Sequence, residues 1–281
     1  MNMYKVKKNK GSRIITIIFM SIIALIQLFP LIWVFNFSLL NSSDLFVSGI
    51  LKWPNEPQFQ NYVIAWTRGK IPEFLINSIV VCSVTVIATI YLSLTLSYAC
   101  TRMKWRLSGF FLTIILLGMM IPVHTTLLPN YLVFNKVGII DSYWALIIPY
   151  VAFSLPMGVF IMTGFLRSIP RSLEESAVMD GCSIYAIIFR IILPLTKPAL
   201  VTVTIMTFLT CWNEFIMAAT YLVSERYKTL PFSIIKFTSE YGTNYAYQFA
   251  VMALSSLPAL IIYIILNKQI TKGIMLGAVK G

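Results

Sequence analysis

Three carboxylates crowd one short stretch of this chain. Glu174, Glu175 and Asp180 stand beside Ser176, Ala177 and Gly181 in the run Ser172-Leu173-Glu174-Glu175-Ser176-Ala177-Val178-Met179-Asp180-Gly181. Acids so placed suit charge-assisted pairing with the arginines or lysines of a partner. A fourth acid, Glu214, lies inside an apolar run beside Trp212 and Asn213. A carboxylate there either lines a wet path and bonds solute hydroxyls or holds two helices together. Other chemistries lack their residues. His124 is the sole histidine, so there is no HExxH and no His cluster for zinc. Gly69-Lys70 is followed by Ile71, which breaks the phosphate-loop pattern, so ATP hydrolysis by this chain is not expected. Cys82, Cys100, Cys182 and Cys211 sit in no paired spacing and read as free thiols packed as small hydrophobes. The chemistry on offer is recognition: no enzyme, no metal and no cofactor bound by the chain itself.

The acidic stretch needs elements that hold it in place. Ser172-x-x-Glu175 has the form of a capping box and predicts a helix from Leu173, just after Pro170. Glu174 and Glu175 in its first turn suit the helix dipole. Gly181 takes positive φ without steric cost and ends that helix. Ser183 then caps a second helix, with Ile184, Ile187, Ile188 and Ile191 on one face. Leu193-Pro194 is expected to stop it, and Lys197-Pro198 opens the next apolar run. The result is helix, glycine elbow, helix. By spacing alone such a pair is either a docking device or two interfacial helices.

Around it the chain is strongly apolar. Of 281 residues, 58% are hydrophobic and 11% charged, against roughly 25% charged in soluble domains. The mean hydropathy of +0.81 agrees. A water-soluble enzyme and a disordered chain are both excluded. Apolar runs occupy Ile14–Ser43, Phe74–Thr101, Leu107–Asn135, Ser142–Leu166, Pro198–Ser224 and Tyr241–Asn267. Each exceeds the roughly 20 residues a helix needs to cross a bilayer. The reading is an all-α polytopic membrane protein with six transmembrane helices, the first kinked near Pro30.

Six spans put both termini on one side. If that side is cytoplasmic, its segments carry 15 Lys/Arg against 3 acids, and the opposite side 7 against 6. The whole net charge of +12 then lies on one face, as the positive-inside rule requires. The basic balance is a topology signal, and no nucleic-acid partner is expected. Lys5, Lys7, Lys8, Lys10 and Arg13 precede an apolar run about twice the length of a signal h-region, with no small-x-small site, so the first span is expected to be retained. The expected layout is a cytoplasmic tail (1–13), helix 1 (14–43), an outer loop (44–73), a domain of helices 2–6 (74–266) holding the inner loop at about 167–197, and a cytoplasmic tail (267–281). The outer loop predicts a short helix over Phe59–Trp66, either a packed lid or a docking surface for an external partner.

Glu175-Ser176-Ala177-x3-Gly181-x9-Ile191-x-Leu193-Pro194 resembles the EAA motif of ABC-type importer permeases, with Ser176 where the family favours alanine. Asn61-Tyr62, Met120-Ile121-Pro122, Ser142-Tyr143-Trp144-Ala145-Leu146, Trp212-Asn213-Glu214-Phe215 and the terminal Gly277-Ala278-Val279-Lys280-Gly281 extend the likeness over essentially the whole chain. The resemblance is to the second permease subunit of maltose-type sugar importers. It implies that Glu174, Glu175, Ser176, Ala177, Asp180, Gly181, Leu193 and Pro194 form a coupling loop that fits a cleft on a cytoplasmic ATPase subunit. It implies that the tail Gly277–Gly281 reaches between two ATPase subunits, which use ATP and Mg. A homologous second permease, an extracytoplasmic sugar-binding protein and the lipid bilayer are the other implied partners. Trp212, Asn213 and Glu214 are candidates for the substrate path. The competing class is a secondary transporter or channel working without an ATPase, against which stand the specific loop and the lack of an obvious internal repeat.

Overall fold

The computed structural model describes residues 10–44, 53–103, 105–239 and 242–278. The chain is built almost wholly of helices. These are α1 (Lys10–Ser38), α2 (Gln60–Arg68), α3 (Ile71–Thr101), α4 (Ser108–Leu117), α5 (Leu127–Val137), α6 (Trp144–Leu166), α7 (Ser172–Met179), α8 (Ile184–Leu195), α9 (Lys197–Asn213), α10 (Ile216–Tyr221), α11 (Phe232–Ile235) and α12 (Tyr245–Ala278). A two-residue hairpin pairs β1 (Thr238–Ser239) with β2 (Gly242–Thr243). Four described helices are long and apolar enough to cross a membrane, and the number rises to six if each of two bent pairs is one span.

The two bent pairs correct the expectation of unbroken spans. The run Leu107–Asn135 turns through 95° between α4 and α5. Pro122 causes it: proline carries no N–H and drives its predecessor out of the helical region, and both Ile121 and Pro122 are extended. The run Pro198–Ser224 is likewise not one helix. It starts at Lys197 after a 79° bend from α8, ends at Asn213, and resumes at Ile216. At 17 residues, α9 is only about 25 Å long.

The chain divides into two compact units, residues 1–71 with 233–255, and residues 72–232 with 256–281. In the first, Phe37, Leu40 and Ala246 form a small core with Trp33 and Phe249 packed against it. The outer-loop helix α2 is fixed through Asn61, whose buried amide donates to the carbonyls of Ser38 (2.8 Å) and Leu40 (3.0 Å) at the end of α1. Tyr62 adds a 2.6 Å bond to Ser38. One face of α2 is thus packed, while Phe59, Val63 and Trp66 stay exposed.

In the second unit α3 and α6 approach closely. Ser78, Thr85, Thr89, Ser93 and Ser97, at near four-residue spacing along α3, are all buried. Opposite lies Gly158 of α6, where a Cβ would stand 2.2 Å from Ser93 Oγ. Small side chains let two backbones meet where a bilayer supplies little hydrophobic drive. The main core continues along these helices as Leu94, Tyr98, Met162 and Leu166, then gathers Ala177 of α7, Ile187, Ile188 and Ile192 of α8, and Ala199 and Val203 of α9. The helices on both sides of the elbow therefore share the core, while the elbow itself is exposed. At the other end, Asn77 donates to the carbonyls of Arg226 and Lys228 and accepts from Tyr143 Oη at 2.6 Å, and Leu230 N donates to Ser78 Oγ.

Candidate functional site

The expected capping box is absent. The helix α7 begins at Ser172 itself, and Arg171 precedes it with φ −67° and ψ −25° and no side-chain cap. A capping side chain needs an extended backbone at its own residue. Here the helical turn already includes Arg171, whose carbonyl accepts from Glu174 N and Glu175 N. The far end matches expectation. Gly181 has φ +77°, Cys182 N donates to Ala177 O and Gly181 N to Val178 O. This pair of bonds is the Schellman closure, which needs a left-handed residue at Gly181's position. Ser183 Oγ then accepts from Ala186 N at 3.3 Å and caps α8.

The second helix departs from α-geometry. Ile187–Ile192 is wound as a π-turn, which shifts the buried face. Ile187, Ile188 and Ile192 are buried, while Ile184 is exposed and Ile191 only partly covered. Leu193-Pro194 does not stop the helix as expected. Pro194 sits in the first turn of its last segment, where a missing N–H costs little, and the bend comes after Leu195.

The two glutamates face opposite ways. Glu174 turns inward: its Oε1 lies 3.1 Å from Arg102 Nε, and its Oε2 accepts from Tyr98 Oη at 3.0 Å. The same guanidinium donates through Nη2 to the carbonyls of Leu166 and Ile169, at 2.5 and 2.7 Å. One arginine thereby ties the end of α3, the end of α6 and the first turn of α7. The Glu174 carboxylate is therefore engaged within the chain, unlike the exposed Glu175 and Asp180. Arg102 and Tyr98 were missed by sequence reasoning. The only signal was that Arg102 is the first charge after a long apolar run.

Outward, Glu175, Ser176, Asp180, Gly181 and Cys182 are exposed and Ala177 is buried. Among them stand Val178, Tyr185 and Met179, the last 87% exposed. Exposed apolar side chains are thus set beside exposed carboxylates on helices whose other faces are core.

The three candidate path residues sit in different surroundings. Trp212 is buried and stacks on Phe208 with centroids 5.2 Å apart. Asn213 bonds back to Leu209 O at 2.9 Å. Glu214 alone reaches a cavity of about 220 Å³, lined also by Tyr150, Ser154, Thr207 and Thr210. It is not inside a helix but at the break between α9 and α10, with extended backbone. Its Oε1 accepts from Met217 N at 2.7 Å, and its Oε2 from Ala218 N and from Tyr150 Oη at 2.5 Å. It caps α10 and pins it to α6. Of the tail, Gly277 and Ala278 belong to the backbone of α12, and Val279, Lys280 and Gly281 lie outside the described residues. Among the described residues no three His, Cys, Asp or Glu side chains gather around a metal-sized space.

The family described as "binding-protein-dependent transport system inner membrane component" matches residues 90–276, from the middle of α3 through most of α12. The chain belongs to this family. As such it is a multi-pass inner-membrane component of a transport system and not an enzyme. It is 39% identical to the putative ABC transporter permease protein ORF2 of Caldicellulosiruptor sp. (strain Rt8B.4), over 94% of this chain and 96% of that one. It is 30% identical to the trehalose/maltose transport system permease protein MalG of Thermococcus litoralis, over 96% and 97%. In fold it is similar to a chain of a bacterial ABC transporter involved in the import of the acidic polysaccharide alginate, with a TM-score of 0.79 at 22% identity and coverage of 95% and 99%.

Proposed function

We propose that this permease is one of two homologous membrane subunits of an ATP-driven sugar importer that works with an extracytoplasmic sugar-binding protein. Two cytoplasmic ATPase subunits bind and hydrolyse ATP with Mg, and this chain binds neither. Both termini and the helix-elbow-helix are cytoplasmic, in line with the charge count. The observation that carries the reading is the exposed knob of Val178, Met179 and Tyr185 between Glu175 and Asp180, on helices whose other faces are core. Glu175, Ser176, Ala177, Asp180 and Gly181 make the ATPase contact, Leu193 and Pro194 belong to the last turn of the second helix of the loop, and Glu174 holds the loop to the spans. The tail Gly277–Gly281 reaches the ATPase pair. Trehalose/maltose and arabinooligosaccharide systems among the relatives support a sugar as the cargo.

The geometry accounts for coupling without a flexible relay. When the ATPase subunits close, α7 moves with its cleft. The Schellman closure makes α7 and α8 one body, and Arg102 carries that motion into α3 and α6. Packed elements with few arrangements transmit a rigid-body shift rather than absorb it. The test is reconstitution of the two permeases and the ATPase subunits in liposomes with the binding protein, followed by uptake of labelled mono- and oligosaccharides. Uptake that needs ATP and the ATPase subunits is expected. Uptake by the membrane chains alone, driven by an ion gradient, would overturn the reading.

A further inference from the structure

Beyond transport itself, we propose that a pocket at the α7 side of the spans binds the phosphate of an anionic phospholipid headgroup. The pocket, about 330 Å³, is lined by Thr101, Arg102, Arg167, Ile169 and Arg171, at the ends of α3 and α6 and the start of α7.

The charge of the site does not close on itself. Arg102 is satisfied by Glu174 and by two carbonyls. Arg171 gives one Nη2 bond to Thr101 O at 3.2 Å, and both it and Arg167 are exposed. Among the described residues no ion pair is made by either. Each helix C-terminus contributes about half a negative charge, so the ends of α3 and α6 together with Glu174 offset roughly two of the three guanidiniums. About one positive charge remains, and the positive N-terminus of α7 adds to it. A phosphodiester carries one negative charge and accepts the paired N–H bonds that guanidinium offers.

The segment that follows Arg102 in the chain points to a lipid rather than to a soluble phosphate. Just past α3 the chain turns at Trp105, whose Nε1 donates to Ala99 O at 2.8 Å and whose ring packs on Phe111. Trp105, Leu107, Phe110 and Phe111 are all exposed. Exposed aromatic and aliphatic side chains three to nine residues past Arg102 suit the acyl chains of a lipid whose headgroup lies on the arginines.

The test is native mass spectrometry of the assembled transporter carrying phosphatidylglycerol or phosphatidylcholine, with Arg167→Gln, Arg171→Gln and the double variant. Preferential retention of phosphatidylglycerol is expected, falling about fivefold for each arginine removed and largely kept in the Arg167→Lys/Arg171→Lys variant. Inorganic phosphate at millimolar concentration should not displace the lipid. Equal retention of the two lipids by the wild-type complex, which needs no variant to fold, would overturn the proposal. So would displacement by free phosphate. A third overturning result is loss of the ATPase subunits from the Gln variants to the same degree in both lipids, which would assign the pocket to a protein contact.

Discussion

Arg102 Nε and Glu174 Oε1 meet at 3.1 Å, with both side chains largely withdrawn from solvent. One residue follows the end of α3 and the other stands in the first turn of α7, so the pair ties a long apolar helix to the helix-elbow-helix segment. Tyr98 and the carbonyls of Leu166 and Ile169 complete its bonding.

Arg102→Ala should cost the purified chain about 3 kcal/mol, because the loss strands a carboxylate and two helix-end carbonyls. Glu174→Gln should cost less, as its amide can still bond Tyr98. Thermal unfolding in detergent gives the stability. The accompanying measurement is ATPase activity against uptake: turnover should persist while sugar per ATP falls. A double variant whose effects simply add would show that the two residues do not act as a pair.

Gly181→Asp should abolish uptake at normal membrane abundance. A Cβ there meets nothing within 4 Å in the chain itself, so folding is opposed only by the φ of +77°, a cost of about 1–2 kcal/mol that Asp bears better than most. The added bulk and charge fall instead on the partner's side. Uptake close to wild type would dismiss the elbow as a contact.

Glu214→Gln should destabilise the break between α9 and α10 by about 1–3 kcal/mol. Both carboxylate oxygens accept bonds, and one of them takes two, whereas an amide turns one acceptor into a donor facing N–H or O–H groups. Tyr150→Phe should cost less, since it removes only one of these bonds. Melting temperature separates the cases. A Gln variant as stable as wild type but with altered sugar preference would place Glu214 on the substrate path instead.

Asp141 supplies a pH dependence. Burial by itself would raise its pKa, but bonds from the Ser224 side chain and backbone and from Val223 N, with the nearby charge of Lys228, hold it below the usual carboxylate value. A lowered folded pKa means that the anchoring is present above roughly pH 4 and is lost as pH falls through the folded value. The protection of the Val223 and Ser224 amides, taken as exchange relative to the intrinsic rate at each pH, should therefore fall on acidification. Asp141→Asn keeps the acceptor and tolerates the φ of +56°, so it should flatten the profile. An unchanged profile in that variant would place the titration elsewhere.

Much of this was legible from residue order. The all-α membrane character, the glycine elbow at Gly181, the cap at Ser183 and the outer-loop helix follow from local rules, because hydropathy over 20 residues, left-handed backbone and side-chain capping each act within a short stretch of chain. The departures share one cause, which is contact with something distant in sequence or a local effect that neighbours amplify. The break at Pro122 is hidden because the surrounding run is apolar throughout, although proline chemistry accounts for the 95° turn there. Ser172 has the letters of a cap, yet the turn begins one residue earlier. Glu174 and Glu175 are adjacent and chemically identical, and no spacing rule says which faces inward. That choice is made by Arg102 and Tyr98, brought to α7 by the close approach of α3 and α6 over Ser93 and Gly158. Glu214 likewise became a cap because Tyr150 stands opposite it. The sequence by itself determined a charged, glycine-hinged surface on a polytopic membrane protein. Tertiary structure decided which of those charges hold the molecule together and which face outward, since pairing energies between side chains 64 or more residues apart depend on packing that local propensity does not encode.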